Sequence, residues 1–113
     1  SGLTSVTIGN GVTSIGKSAF ERCSDLTSIV VEEGNSVYDS RNSCNAIVET
    51  ASNTLICGCK TTIIPNSVES IGDNAFYYCD KLKFVTIPSS VKNVYACGDV
   101  VSKSFKQALL YKF

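Results

Sequence analysis

A short apolar pattern recurs along the chain at a fixed step. Leu3-Thr-Ser-Val-Thr-Ile8 returns as Leu26-Thr-Ser-Ile-Val-Val31 and again as Leu82-Lys-Phe-Val-Thr-Ile87. Leu26 stands 23 positions after Leu3, and Pro88 stands at the same distance after Pro65. A period between about 20 and 50 residues is typical of solenoids, whose units are too small to bury their apolar faces alone and depend on their neighbours. The sequence therefore predicts a stack of about four repeat units.

Within each unit the residue types predict a strand, a turn, a second short strand and a short helix. The first strand carries its apolar residues at positions one, four and six, and positions four and six share one face of an extended chain. Turn residues such as Gly9-Asn10-Gly11 follow it. The stretches Gly16–Cys23 and Gly72–Cys79 predict one or two helical turns. The second strand is predicted from the paired apolar positions Val12/Ile15, Val68/Ile71 and Val91/Val94.

The spacing also shows that one unit is longer than the others. Ala19-Phe20 returns as Ala75-Phe76 only after one step of 23 positions and one of 33, so one unit carries a ten-residue insertion. Stacking the units places their first strands in one parallel sheet, with the short helices on the opposite side. The predicted core comprises Phe20, Leu26, Ile29, Val31, Phe76, Val85 and Ile87.

The repeat closely resembles the BspA-like leucine-rich repeats of bacterial surface proteins, which also occur in some protozoan parasites. Their units have the pattern Leu-x-x-Val-x-Ile-Pro-x-x-Val-x-x-Ile-Gly-x-x-Ala-Phe-x-x-Cys. Leu3 to Cys23 and Ile64 to Val94 match this pattern, and the stretch from Asn35 to Ile56 resembles the longer variant of the unit. The resemblance implies a leucine-rich-repeat solenoid, a curved right-handed superhelix. It also implies adhesion or protein binding at a cell surface or after secretion, and it carries no set of functional residues.

The repeat pattern ends near Val94, which predicts two segments. One period after Ala75-Phe76 stands Gly98-Asp99, so the register is broken. The stretch 102–111 is amphipathic, with a serine at its start that could cap a helix. We therefore expect a solenoid over residues 1–95 and an irregular, helical C-terminal cap over residues 96–113. A segment altered by truncation or by a change of reading frame is the alternative. Since the sequence contains no methionine, we expect it to be an excised or processed part of a longer protein, with no signal peptide visible.

Composition and charge exclude several classes of function. The formal net charge is zero, which gives no reason to expect nucleic acid or an anionic membrane as a partner. No apolar run approaches the ~20 residues of a membrane-spanning helix. Residues 81–113 carry six lysines and one acid, whereas residues 1–80 carry nine acids and four bases. This asymmetry fits solvated faces of different repeats, or a dipolar module that associates head to tail.

The chain lacks the residues that most catalytic and metal sites need. It contains no histidine, which removes the commonest general base and every histidine-containing metal site. It has no phosphate-binding, dinucleotide-binding or calcium-binding motif. Its only adjacent pair of acids, Glu32-Glu33, fits a solvated turn better than a catalytic pair. We therefore expect a protein that is not an enzyme and that has no cofactor and no metal ion.

The six cysteines fall into two groups of three. Cys23 and Cys79 share one repeat position, and Cys59 occupies the position that leucine fills in other units, so we expect three buried, reduced thiols. Cys57-x-Cys59 has the wrong spacing for a zinc site. The other group lies off the repeat and could form disulfides in an exported protein, with no pairing favoured: Cys44, Cys57 and Cys97.

The candidate binding site lies on the outward side of the first strands. Positions three and five of each strand are expected to point away from the core. Stacking the units aligns these positions as a polar row beside a row that contains apolar residues. In chain order the pairs are Ser5/Thr7, Ser28/Val30, Thr61/Ile63 and Phe84/Thr86. A contiguous apolar patch on such a face marks an interaction site, with Phe84 as the main contact. Lys60 and Lys83 would form a basic rim. The candidate ligand-binding residues are Val30, Ile63, Phe84, Lys60 and Lys83.

The partner expected at this face is a protein, either host extracellular matrix or another cell surface. The alternatives are that the face is only solvated and serves a purely structural spacer, or that the chain is part of a carbohydrate-active enzyme. Such an enzyme would need carboxylates that converge in a cleft, whereas a spacer would show polar residues on both faces.

Overall fold

A computed structural model of the protein describes residues 3–16, 25–72, 75–76 and 86–94. These residues form two β-sheets and one 3-10 turn, Arg41–Ser43. The strands are β1 (Ser5–Ile8), β2 (Ser28–Val31), β3 (Tyr38–Asp39), β4 (Ile47–Glu49), β5 (Thr54–Cys57), β6 (Ser70–Ile71) and β7 (Asn93–Val94). The predicted cap, residues 96–113, lies outside the described residues, and so does most of each predicted helical stretch, Gly16–Cys23 and Gly72–Cys79.

The first sheet joins the first two repeat units by their main strands. β1 and β2 run parallel, and Ser5 pairs with Ser28 and Ile8 with Val31, so each residue faces its equivalent one repeat later. Alternation along β2 buries Ile29 and Val31 and leaves Val30 outside. Because the register equals the sequence period, the parallel pairing of these two units is confirmed.

The second sheet has five strands in the order β3-β4-β5-β6-β7. The longer unit forms β3, β4 and β5, which pair antiparallel as a meander, and we call its residues 35–57 the inserted segment. β5 then pairs parallel with β6, and β6 with β7, at the register Ser70 to Asn93. The predicted second short strands are therefore confirmed at β6 and β7, and Val68, Ile71 and Val91 are buried beneath them. In the first unit, Val12 and Ile15 are half-buried and form no strand.

One turn recurs between the first segment of a unit and the second. The amide of Val12 donates to the carbonyl of Gly9 at 3.2 Å, and Val68 donates to Pro65 and Val91 to Pro88, each at 3.1 Å. Three copies of the same hydrogen bond at equivalent positions show that the units share one local geometry. The seryl hydroxyl of Ser90 also donates to the carbonyl of Val68 at 2.9 Å, which ties two successive turns together.

The prediction of one continuous parallel sheet is wrong in the part of the chain that the structure describes. Residues 61–64, where the third main strand was expected, form no strand, because the inserted segment lies between them and β2. The amide of Ile29 donates to Asn45 Oδ1 at 3.4 Å and that of Val31 to Ser40 Oγ at 2.9 Å. The amide of Ile63 donates to the carbonyl of Cys44 at 3.1 Å. Since Asn45 and Ser40 accept the amides along the edge of β2, that edge needs no neighbouring strand.

The core consists of two clusters. One contains residues of β4, β5 and β6, and the other combines residues of β1 and β2 with Tyr38 of β3 and Ile47 of β4. The burial predicted for the described core residues is confirmed for Leu26, Ile29, Val31, Phe76 and Ile87. Phe20 and Val85 lie outside the described residues. Leu3 is 44% exposed although its repeat equivalent Leu26 is only 2% exposed. In the described residues β1 has β2 as its only neighbour, so Leu3 is covered from one side only.

Candidate functional site

The outward side of β1 and β2 displays uncharged side chains in register. Ser5 and Thr7 are exposed on β1, and they pair with Ser28 and Val30 on β2. Val30 is 45% exposed, a large fraction for an aliphatic side chain. The predicted rows therefore exist on these two strands, with hydroxyl groups beside an exposed valine.

Residues 61–63 lie beside this surface although they form no strand. The hydroxyl of Thr61 donates to the carbonyl of Thr27 at 2.7 Å, which holds the segment against the beginning of β2. Ile63 is 77% exposed. Leu3, Val30 and Ile63 are the exposed large apolar side chains in the described ranges. We call Val30 and Ile63 together the outer patch.

Of the other three candidate residues, the structure describes only Lys60. Lys60 is half-buried, so it borders the surface with only part of its side chain in solvent. Thr86 is exposed, as expected for its position. Phe84 and Lys83 lie outside the described residues. The structure therefore describes three of the five candidate residues, and two of them present exposed apolar side chains.

A polar network in the inserted segment was not anticipated from the sequence. The guanidinium of Arg41 donates to both carboxylate oxygens of Asp39, at 2.7 and 2.6 Å, and to Asn53 Oδ1 at 2.7 Å. The hydroxyl of Thr50 donates to Asp39 at 2.6 Å, and Asn53 Nδ2 donates to Glu69 Oε2 at 2.7 Å. The network joins β3, the 3-10 turn, the β4–β5 hairpin and the residue before β6. It holds the insertion against the next repeat unit.

The protonation state of this network follows from its hydrogen bonds. Partial burial alone would raise the pKa of Asp39, but hydrogen bonds from the side chains of Arg41 and Thr50 outweigh it and lower that pKa below the ordinary 3.8. The hydrogen bond to Asp39 likewise raises the pKa of Arg41. Both groups are therefore held in their charged forms, and their side chains are mutually satisfied rather than directed toward a ligand.

The inserted segment also adopts left-handed backbone conformations without glycine. The φ angles of Asn42, Ser43, Asn45 and Asn53 are 58°, 51°, 55° and 54°. Asparagine tolerates this region better than most residues. Three of these residues lie in the loop that separates β2 from residues 61–64. The sequence signal was present as a run of Asn and Ser, but such a run does not specify where the loop will lie.

The described thiols are structural. Cys59 is 2% exposed, in the core position predicted for it, and its thiol donates to the carbonyl of Asn45 at 3.4 Å. Cys44 is a free thiol at 1% exposure, and burial raises its pKa. Cys57 is half-buried, with its sulfur 3.9 Å from the carbonyl oxygen of Gly58. The other three cysteines, Cys23, Cys79 and Cys97, lie outside the described residues.

The described ranges contain neither a candidate metal site nor a candidate membrane-spanning helix. Residues 3–16, 25–72, 75–76 and 86–94 contain no group of three or more His, Cys, Asp or Glu side chains able to hold a metal ion. Among the same residues there is no helix of the length and apolar character needed to cross a membrane.

Comparison with known proteins agrees with the repeat geometry. Residues 53–98 match the family described as BspA type leucine rich repeat region (6 copies). Over this stretch the chain is similar to BspA-type leucine-rich repeats. The match begins at the end of the turn between β4 and β5 and includes β5, β6 and β7, which pair parallel with one another in that order. A comparison with curated proteins finds no match.

A solved structure shares the leucine-rich-repeat fold. The chain is similar to a leucine-rich repeat protein from Eubacterium ventriosum, with a TM-score of 0.69 and 21% sequence identity. The similarity covers 90% of this chain and 28% of that protein. At this identity the comparison shows the fold, and this chain spans little more than a quarter of the length of its neighbour.

Proposed function

We propose that this leucine-rich-repeat chain is a non-enzymatic protein-binding module used in adhesion, as part of a bacterial cell-surface or secreted protein. The observation that supports it is the outer patch, in which Val30 and Ile63 are 45% and 77% exposed. The neighbouring residues on the same strand, Ile29 and Val31, are buried, so the scaffold beneath Val30 is fixed. Exposed aliphatic groups on a rigid surface favour contact with a protein partner.

The surroundings of the outer patch suggest what kind of partner fits. The side chains beside it are uncharged hydroxyls, on Ser5, Thr7 and Ser28, and the hydroxyl of Thr61 is already engaged with Thr27. Binding there would depend on apolar contact and shape, with little contribution from ion pairs. Stacked repeats provide extended surfaces for such contacts.

Our proposal extends the surface along the repeat. The repeat pattern assigns Phe84 to position three and Lys83 to position two of the next unit, and we propose that Phe84 points outward there. An aromatic side chain at that place would be the strongest single contact, because aromatic residues dominate interface hot spots. We also propose that the units continue as a right-handed solenoid over residues 1–95, with residues 96–113 as its cap.

A purely structural spacer is the second candidate. It is favoured by the short hydroxyl side chains that make up most of the outward face of β1 and β2. A spacer needs no partner at the outer patch, so the two functions differ in a measurable way.

The test is a binding screen followed by substitutions in the outer patch. The folded protein is screened against immobilised host matrix proteins and glycans, and the affinity of Ile63→Ser and Val30→Ser is then measured for any protein bound. We expect a loss of roughly tenfold for Ile63→Ser, which corresponds to ~1.4 kcal/mol. Leu3→Ser is the matched control, because Leu3 is 44% exposed but stands at position one, off the outward face.

The outcomes separate the two candidates. Unchanged affinity in both patch variants would move the binding site off this face. Failure of the unmodified protein to bind any matrix protein or glycan would favour the spacer. Circular dichroism of each variant checks that the fold is retained.

A further inference from the structure

The turn after β1 presents an asparagine followed by glycine in solvent. Asn10 and Gly11 lie in the middle of the turn that Val12 closes on Gly9, and both are exposed. Among the described residues, the side-chain amide of Asn10 makes no hydrogen bond and the backbone N–H of Gly11 donates none. The electrophilic side-chain carbonyl and the backbone nitrogen that follows it are therefore both unprotected.

We propose that Asn10 is a site of spontaneous deamidation. The backbone nitrogen of Gly11 loses its proton to solvent base and forms a bond to Cγ of Asn10, and the side-chain nitrogen leaves as ammonia. The product is a five-membered succinimide. Water then opens either of its two carbonyls, which yields aspartate or isoaspartate at position 10. Glycine favours the first step, because without a Cβ it lets the two groups approach in more conformations.

The fold itself does not require glycine at position 11. A Cβ there would meet nothing within 4 Å, and the φ angle of Gly11 lies outside the left-handed range, unlike that of Gly34 at 90°. The equivalent turns of later units carry Ser67 and Ser90 at this place. The turn closed by Val68 on Pro65 contains Asn66-Ser67 in the same geometry, so the chain provides its own matched control.

Deamidation would act on contacts that hold this turn to the inserted segment. Asn35 Nδ2 donates to the carbonyls of both Gly9 and Val12, at 3.0 and 2.9 Å. Glu32 Oε1 accepts the amide of Asn10 at 3.0 Å. A carboxylate at position 10 would stand beside that of Glu32 and repel it. Isoaspartate would also lengthen the backbone by one methylene and change the spacing of the two carbonyls that Asn35 binds. The modification therefore loosens the turn in addition to changing its charge.

The site is tested by ageing the protein in mildly alkaline buffer and mapping its tryptic peptides by mass spectrometry. Asn10 is the only asparagine in the peptide of residues 1–17, whereas Asn66 lies in that of residues 61–81, where fragmentation locates it. We expect deamidation at Asn10 to be several-fold faster than at Asn66 and to accelerate with pH. We expect Gly11→Ser to slow it, and Ser67→Gly to accelerate it at Asn66. Equal rates at the two asparagines, or a Gly11→Ser variant that ages like the unmodified protein, would overturn the proposal.

The structural effect needs a separate measurement. The thermal unfolding of fresh protein is compared with that of aged protein and of Asn10→Asp, which adds the charge without the extra methylene. We expect Asn10→Asp to unfold at a lower temperature than fresh protein, and the isoaspartate form to unfold lower still. Aged protein that unfolds at the temperature of fresh protein would refute the loosening of the turn.

Discussion

The contact between Phe76 and Gly58 provides a strong test of how the core is packed. Phe76 is 2% exposed, and its ring lies directly against the backbone of Gly58. A Cβ at position 58 would overlap Cε1 of the ring and lie 2.7 Å from Cζ, well below ordinary van der Waals contact. The amide of Gly58 also donates to the carbonyl of Ala75 at 2.9 Å, so its backbone cannot easily move away.

Two substitutions at this contact are expected to destabilise the protein for opposite reasons. Phe76→Ala leaves a cavity and should lower the free energy of unfolding by about 3–5 kcal/mol. Gly58→Ala adds a methyl group where no space exists and should lower it by about 1–3 kcal/mol. In the double variant the methyl group enters the space left by the ring. The combined loss should therefore be smaller than the sum, by about 0.5–3 kcal/mol.

Urea-induced unfolding followed by circular dichroism measures all three variants and the unmodified protein. Gly11→Ala is the control, because a Cβ at position 11 meets nothing within 4 Å, and its effect should stay within about 0.5 kcal/mol. Strict additivity of the two substitutions would show that the ring and position 58 are not in contact. A neutral Gly58→Ala would contradict the packing directly.

Three further predictions concern the inserted segment. Asn35→Ala removes hydrogen bonds to the carbonyls of Gly9 and Val12 and from the amides of Val37 and Tyr38, so the free energy of unfolding should fall by about 2–5 kcal/mol. The control Asn66→Ala, at an exposed position, should change it little. Because folding lowers the pKa of Asp39, its carboxylate stabilises the protein above its ordinary pKa of 3.8, and this stabilisation is lost as the pH falls through the lower pKa of the folded state. Unfolding curves measured at several pH values should show a weaker loss of stability in acid for Asp39→Asn. Buried Cys44, with its raised pKa, and Cys59 should resist alkylation in the native protein and react after denaturation, as read by mass spectrometry.

Each of these has an outcome that contradicts it. An Asn35→Ala variant as stable as Asn66→Ala would show that the turn does not depend on the amide. An acid transition unchanged in Asp39→Asn would assign the pH dependence to other carboxylates. Alkylation of Cys44 in native protein at the rate of denatured protein would place that thiol in solvent.

Part of the candidate site could be read from alternation alone. Position five of a main strand was expected to point outward, and Val30 does so between the buried residues Ile29 and Val31. The relation between Val30 and Ile63 could not be read in the same way, because it depends on what lies between their two segments. Asn45 and Cys44 lie there. Asn45 accepts a hydrogen bond from the amide of Ile29, and the carbonyl of Cys44 accepts one from the amide of Ile63.

The polar network of the insertion shows the same limit. Asp39 and Arg41 stand before β4 and Asn53 stands after it, and their bonds depend on left-handed conformations that few residue patterns specify. A run of Asn and Ser indicates that a turn is favourable. Which carbonyl or carboxylate it meets depends on the path of the whole insertion.

The sequence by itself determined the repeat, the register between its units and the burial of residues such as Ile29 and Ile71, because these follow from short periodicities that each unit shares with its neighbours. The tertiary structure decided where the sheet is interrupted. There, bonds from the insertion to the edge of β2 join residues 9 to 16 positions apart, with no periodicity to reveal them. Local patterns fix which side of a strand is buried, whereas the partner of each strand edge is fixed only when distant segments compete for the same amides.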